Sequence, residues 1–451
     1  MPIYVRKETP ENYTFQYKMS KAGSVSYSDD ASGFTAAKMN FTTDTFNYGS
    51  WGTSKFIVNS FPVALNLDGT VAYRINPYDY TKKVDGTPSD IAFTLLTEEP
   101  ADWSTRSWTY YKLVDGKYVR GTEGASYAFE ANTYYKLGTT FAGNFMIAFP
   151  KIYFYRTNDG TNAIISVSDH KVATDYRADA HTNANGQEVD YIYLPMFKGS
   201  IVDGKLRSIP GVIPEGGLTA AEEVAAAEAC GPGWQIWDHS SREMINDLLT
   251  MISKDHDAQA SFGPGRTRYN GQGTSYNNEY KKLPTGSLFD KGPFYGYKDN
   301  TTLYLSDVKV FGIEGYWGNR EERLQGLLFG KAITVPTFFT KMQPPYNFTD
   351  TTGWVGNSAS NISNGFIQEV LVRPEGTIPT RATGTSDLYY HDYISVSMPN
   401  NYTTTRYVPY VGGNSGLTDS YRFRPGLRNY TVQDIGTAAW YVGASPVYKP
   451  L

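Results

Sequence analysis

A single cysteine, Cys230, stands among 451 residues. One thiol forms no intrachain disulfide and no multi-cysteine zinc site, so stability has to come from packing, which suits folding in a reducing cytoplasm. At the end of an alanine-rich segment, Cys230 itself is expected to be a small packing residue. Nothing reaches the ~18 consecutive apolar residues of a membrane helix, and the opening Met1-Pro2-Ile3-Tyr4-Val5-Arg6 lacks a signal-peptide core. Neither a membrane span nor export by the usual secretory route is expected. Basic runs are also missing: the formal net charge is -4, and Arg422, Arg424 and Arg428 are the nearest thing to a cluster. Phosphate binding needs clustered Lys and Arg, so a primary nucleic-acid role is disfavoured. No two of the five histidines stand at the H-x₃₋₅-H spacing of zinc sites.

What is present is aromatic and loop-forming: 15% aromatic residues with 37 Tyr, 43 Gly and 24 Pro, against 19% charged residues. That balance predicts an α+β fold dominated by β structure. At about 150 residues per domain the length suggests two or three units. Residues 1–97 are expected to be a compact β domain or a β extension of the main one, serving attachment or oligomerisation. The segments 56–58, 62–67 and 71–75 are short extended runs, with Asp68-Gly69 as a hairpin turn. Asp79, Asp85 and Asp90 are too widely spaced for a calcium loop and are expected as solvated turn residues. Residues 98–137 look like an inserted aromatic β module, with Trp103, Trp108, Tyr110, Tyr111, Tyr134 and Tyr135 around Asp115-Gly116. Such aromatics can stack on sugars, but a unit of some forty residues needs them for its own core.

Residues 138–451 form the main unit. Ile147, Phe149, Ile152, Phe154, Ile164 and Val167 alternate as core strands, followed by a further strand at 191–194. Asp169, His170, Asp175, Asp179, His181 and Asp190 concentrate here without metal-site spacing, and a structural role is expected for them. Two helices follow. Thr219 with Glu222 forms one capping box and Gly231-Pro232 stops that helix; Ser240 with Glu243 is expected to form a second box. Met244, Ile245, Leu248, Leu249, Met251 and Ile252 make an apolar stripe facing the core, with Trp234 and Trp237 leading into it. Gly263-Pro264-Gly265, Gly271 and Gly273 lack phosphate-loop context and are expected to be a surface loop. Residues 308–313 are expected to be one strand running into Tyr316-Trp317-Gly318-Asn319.

The stretch 393–451 has contact-surface composition. Tyr402, Arg406, Tyr407, Tyr410, Asn414, Tyr421, Arg422, Phe423, Arg424, Arg428 and Tyr430 are set among Gly412, Gly413, Gly416 and Gly426. Tyr and Arg supply large contact area with few rotors to freeze, and Gly, Ser and Asn allow adaptable backbone. These eleven residues are the candidate ligand contacts. No catalytic residue, metal or cofactor is expected.

The order of Val411-Gly412-Gly413, Gly416, Gly426 and the closing AWYVGAS at 439–445 resembles the variable end of phage virion proteins with a C-type lectin-like fold, the kind diversified by diversity-generating retroelements and including the major tropism determinant. Segments 141–151 (FAGNFMIAFPK), 234–265 (WQIWDHSSREMINDLLTMISKDHDAQASFGPG) and 308–326 (VKVFGIEGYWGNREERLQG), with the run 40–92, are similar to the same group of gut-phage structural proteins. The resemblance implies two helices beside a twisted antiparallel sheet with long loops, and places Trp440 in the scaffold. It implies a head- or tail-fibre receptor-binding protein, assembled in the host cytoplasm and working outside it as a homo-oligomer, with a trimer favoured. Its partners would be other virion proteins and a bacterial surface protein or glycan. Formylglycine-generating enzymes share the fold, but their paired cysteines are missing here, as is the Glu-Pro-Asn loop of calcium-dependent lectins; the likeness concerns fold alone. Capsid or tail decoration without receptor selection is the alternative. A glycan depolymerase using carboxylates such as Asp175 and Asp190 is a third.

Overall fold

The computed structural model describes residues 14–20, 25–27, 60–96, 111–114, 117–119, 134–158, 162–253, 256–263, 265, 284–296, 307–332, 335–359, 361–384, 392–396, 407–413, 427–428, 430–439 and 441–451. Among these the fold is β-dominated, of the α+β kind. Strand Asn144–Pro150 shows why. Its alternating side chains supply two cores: Phe145, Ile147 and Phe149 join the main cluster, while Met146 and Ala148 join Val63, Leu65, Trp234 and Tyr448 on the other face. A strand apolar on both faces belongs in the middle of a sheet. This one pairs antiparallel with Phe61–Leu65 on one side and Tyr191–Pro195 on the other.

The full sheet runs Trp234–Ile236, Pro446–Tyr448, Tyr191–Pro195, Asn144–Pro150, Phe61–Leu65, Val71–Asn76, Asp79–Lys83. Strands from the first hundred residues therefore extend the sheet that carries the C-terminal strand. The expected Asp68-Gly69 turn joins two of them. Gly69 has φ +85, and a Cβ there would lie 1.9 Å from the Tyr448 hydroxyl, so backbone sign and lack of space both call for glycine. Asp68, Asp79 and Asp85 each accept hydrogen bonds from a Thr two residues on, the turn role expected of Asp79 and Asp85. Within the aromatic segment, Tyr111–Val114 and Lys117–Val119 pair as a hairpin, and a four-stranded sheet brings Ile91–Leu96 beside Tyr134–Thr139. Runs 40–59 and 98–110, with Asp115-Gly116, lie outside the described residues. So do Gly271, Gly273 and Trp440.

A second large sheet is built around Tyr407–Val411, Tyr430–Asp434 and Tyr393–Val396, flanked by Leu327–Ala332 and Val335–Thr340 on one side and the long hairpin Gly365–Arg373/Gly376–Gly384 on the other. Helix α1 (Ala220–Glu228) carries the expected capping box, with both halves made between Thr219 and Glu222. Helix α2 (His239–Ser253) packs on Gly376–Gly384 and on the turn Asp179–His181. Its six stripe residues are all buried, and each such side chain contributes about 1.5–3 kcal/mol. A short α3 (Ala258–Phe262) follows.

Three local expectations are corrected. The cap of α2 is Asp238: its Oδ1 accepts from Ser241 N at 2.8 Å and Ser240 Oγ at 2.5 Å, which releases Glu243 for a tertiary partner. Residues 308–313 are two short strands, Lys309–Val310 and Ile313–Glu314, folded back through Phe311 (φ 51) and Gly312 (φ 87). Gly263 and Gly265 are buried, because Trp317 Nε1 donates to Gly263 O at 3.1 Å and the Trp317 side chain lies where a Gly265 Cβ would stand.

Gly69→Ala should destabilise the fold by about 1–3 kcal/mol, since it forces a side chain into a positive-φ site already occupied by Tyr448. Thermal or urea unfolding measures it.

Candidate display site at the C-terminal sheet

Strand Tyr430–Asp434 is the axis of the candidate site. It pairs parallel with Tyr393–Val396 (Ile394 opposite Tyr430) and antiparallel with Tyr407–Val411 (Val411 opposite Tyr430, Tyr407 opposite Asp434). Register fixes where the connecting segments attach. The chain leaves Val396 and re-enters at Tyr407, both toward the Asp434 end. It departs through Gly412-Gly413 and returns through Leu427-Arg428, both at the Tyr430 end. Strands of this length separate the two ends by roughly 13 Å. Tyr402 and Arg406 thus belong to a connection at one end, and Asn414, Tyr421, Arg422, Phe423 and Arg424 to a connection at the other; these seven lie outside the described residues.

The remaining four candidates are in the interior. Tyr407, Tyr410, Arg428 and Tyr430 are 4%, 0%, 2% and 2% exposed, so as folded they belong to the framework and offer no contact surface. The physical reason is that both faces of these strands are covered. Tyr407 and Tyr430 join the main core, whereas Tyr410 joins Ala220, Leu328 and Val442 on the opposite face. Burial pushes the Tyr410 phenol up to about 12, while its oxygen accepts from Arg323 Nη1 at 3.2 Å. Arg323 in turn meets Glu223 of α1 at 2.5 Å.

Arg428 ends the connection at its most constrained point. Its Nη2 lies 3.0 Å from Asp247 Oδ1 and 3.2 Å from Glu243 Oε2, two carboxylates four residues apart on one face of α2. Asp247 also accepts from Arg156 Nε at 2.8 Å, and Glu243 from Thr377 N at 3.2 Å. Burial by itself would raise the Glu243 carboxyl; Arg428, with His239 and Arg156, holds it below its ordinary range. The backbone is tied as well: Asn246 Nδ2 donates to Leu427 O at 2.8 Å, and Arg428 N donates to Asp392 Oδ2 at 2.7 Å. Asp392 leads into Tyr393–Val396, so one carboxylate joins two strand entries. Desolvation pushes Asp392 up to about 7, against the opposing effect of Arg428.

The departing side of the connection is equally fixed. Gly412 adopts φ 92, its carbonyl accepts from Gly318 N at 2.7 Å, and a Cβ there would stand 3.4 Å from Trp317 Cα and the Tyr316 carbonyl. Arg242 holds that wall: its guanidinium lies 3.5 Å from the Tyr316 ring centroid, and Nη2 donates to Tyr316 O at 2.7 Å. Compared with known protein families and with curated proteins, the chain matches none.

The Asp and His concentration at 169–190 resolves into separate contacts. Asp169 meets His170 at 2.7 Å, Asp179 meets Arg177 at 3.0 Å, and the exposed Asp190 meets Lys151 at 3.3 Å. His181 is buried with Nε2 3.3 Å from Phe149 O, and burial pushes it down to about 3. Among the described residues no three of His, Cys, Asp and Glu gather as a metal site. Cys230 is buried, with Sγ 3.2 Å from Leu206 O. Sequence reasoning missed Glu243, Asp247, Arg242 and Asp392; the i, i+4 spacing of Glu243 and Asp247 was the one available signal.

Arg428→Ala should cost about 3–5 kcal/mol, because it removes the guanidinium that two buried carboxylates share and leaves Glu243 without its close cation, seen as an unfolding shift rather than a selective binding defect. For Asp392 the folded pKa is raised, so its stabilising contribution is complete below the ordinary 3.8 and is lost as pH rises through about 7. Asp392→Asn should remove that slope, and unfolding of both forms between pH 4 and 7.5 checks it.

Proposed function

We propose that the protein is a phage virion receptor-binding protein that displays its C-terminal connections on a lectin-like scaffold to a bacterial surface protein or glycan. The observation that carries this reading is the fixed base of 414–426: Gly412 locked on Trp317 at one side, Arg428 locked to α2 at the other. Binding loops work best as adaptable tips on rigid supports. A Tyr-, Arg- and Gly-rich segment spanning two such anchors has that design. Support for the C-type lectin-like assignment comes from α1 and α2 beside antiparallel sheet, and from a closing strand, Pro446–Tyr448, that pairs with Trp234–Ile236 and Tyr191–Pro195.

The contact set is Asn414, Tyr421, Arg422, Phe423 and Arg424 at the Tyr430 end, with Tyr402 and Arg406 serving a second contact at the opposite end. Weak single-site affinity would be multiplied by several copies on the particle, by as much as ~10² to 10⁴. A homotrimer held among other virion proteins would supply them.

Simultaneous replacement of Tyr421, Phe423 and Arg424 by Ala should lower binding of the labelled protein to susceptible bacteria by about tenfold or more, with the unfolding midpoint unchanged. Unchanged cell binding in the folded variant would sink the receptor-binding assignment and leave virion decoration.

A further inference from the structure

Asp392 is 2% exposed and stands where two strand entries meet. Its Oδ2 accepts from Arg428 N at 2.7 Å, and its backbone oxygen accepts from Ile367 N at 2.9 Å. One residue thus ties the start of Tyr393–Val396 to the hairpin strand Gly365–Arg373 and to the re-entry point at Leu427-Arg428. Its other carboxyl oxygen, Oδ1, has no hydrogen-bond partner. A buried carboxylate held by a single backbone N–H is poorly compensated for its lost hydration.

Charge balance around it points the same way. Arg156 and Arg428 face Glu243 and Asp247, two guanidiniums against two carboxylates. An ionised Asp392 would be a surplus anion in that interior. The groups that face it are the Arg428 guanidinium, the Glu243 carboxyl of α2, the Asp257 carboxyl between α2 and α3, and the Tyr430 phenol, kept neutral by burial. Of these, only Arg428 favours the ionised form, and its Nη2 is taken up by Glu243 and Asp247 at 3.2 and 3.0 Å. His239 adds no cation, because burial pushes its pKa down. In the neutral acid the carbonyl oxygen still accepts from Arg428 N, so the tie is kept without the charge. Opening lets water reach a carboxyl that ordinarily ionises near 3.8, whereas burial lets the closed form keep its proton up to about 7.

We propose that Asp392 is a proton-operated clasp: protonated, it holds the Tyr393 and Leu427-Arg428 strand entries together, and loss of the proton releases them. Each pH unit between those two values should favour the open form about tenfold, with a plateau above them. The clasp rests on the receptor-binding reading only for its consequence, a support for the displayed connection that is firmer in mild acid than at neutral pH. A tie that does not titrate, Asn246 Nδ2 to Leu427 O at 2.8 Å, runs beside it and supplies a comparison.

Hydrogen exchange of the folded full chain, read by mass spectrometry on peptides covering 392–396, 427–431 and 244–252, tests it without any receptor. After correction for intrinsic rates, the first two should be at least about tenfold less protected than the α2 peptide and insensitive to low urea. Their protection should fall roughly fiftyfold from pH 5 to pH 7 and then level off. Asp392→Asn, which keeps the carbonyl acceptor and cannot ionise, should hold it constant across that range. Asn246→Ala should lower it at every pH and keep the fall. Protection and urea dependence equal to those of α2 would make Asp392 a contributor to global stability alone and overturn the clasp. So would a flat profile in the wild-type protein, or a fall that survives Asp392→Asn. The wild-type profiles decide the matter even where Asp392→Asn does not fold. Bacterial binding enters none of these outcomes, so the receptor-binding reading stands or falls separately.

Discussion

Arg428 sits between Glu243 and Asp247 in the interior, and the C-terminal half of the molecule is arranged around that contact. Taking ions out of water costs several kcal/mol each, and only close partners offset it. Here the offset is shared: Arg156 shares Asp247 and Thr377 N–H shares Glu243, while Asp392 takes the Arg428 backbone. Such a cluster tolerates little sliding. A one-residue slip of Tyr430–Asp434 would turn each of its side chains to the opposite face of the sheet and would carry Arg428 away from α2.

That constraint divides the aromatic and basic residues of the C-terminal stretch into two kinds. Tyr407, Tyr410 and Tyr430 are large, rigid and enclosed, with Tyr410 under Arg323 and Tyr430 in the main core. They hold the sheet. Residues of the same chemical type in 397–406 and 414–426 lie outside the described residues, in the segments that join these strands. Interior support thus uses the composition expected of a contact surface, which is why tyrosine and arginine content alone overstated that surface.

The same logic distinguishes the arginines. Arg156, Arg242, Arg323 and Arg428 are buried and meet carboxylates. Arg74 is exposed and rests on the Phe61 ring.

By itself the sequence determined what short-range physics controls: a β-dominated fold from its composition, the Asp68-Gly69 turn, the Thr219/Glu222 capping box, the alternation of Asn144–Pro150 and the apolar stripe of α2. Each depends on neighbours within a few residues. Tertiary structure alone decided the rest. Asp238 displaced Ser240 as the α2 cap because Glu243 was drawn to Arg428, 185 residues away. Phe311 and Gly312 broke an apparent strand because the chain turns back there, with Gly312 against Ile147. Four of the eleven candidate contacts became interior because strands distant in sequence closed over both faces of the sheet. Burial depends on which segments meet, and composition carries no record of that.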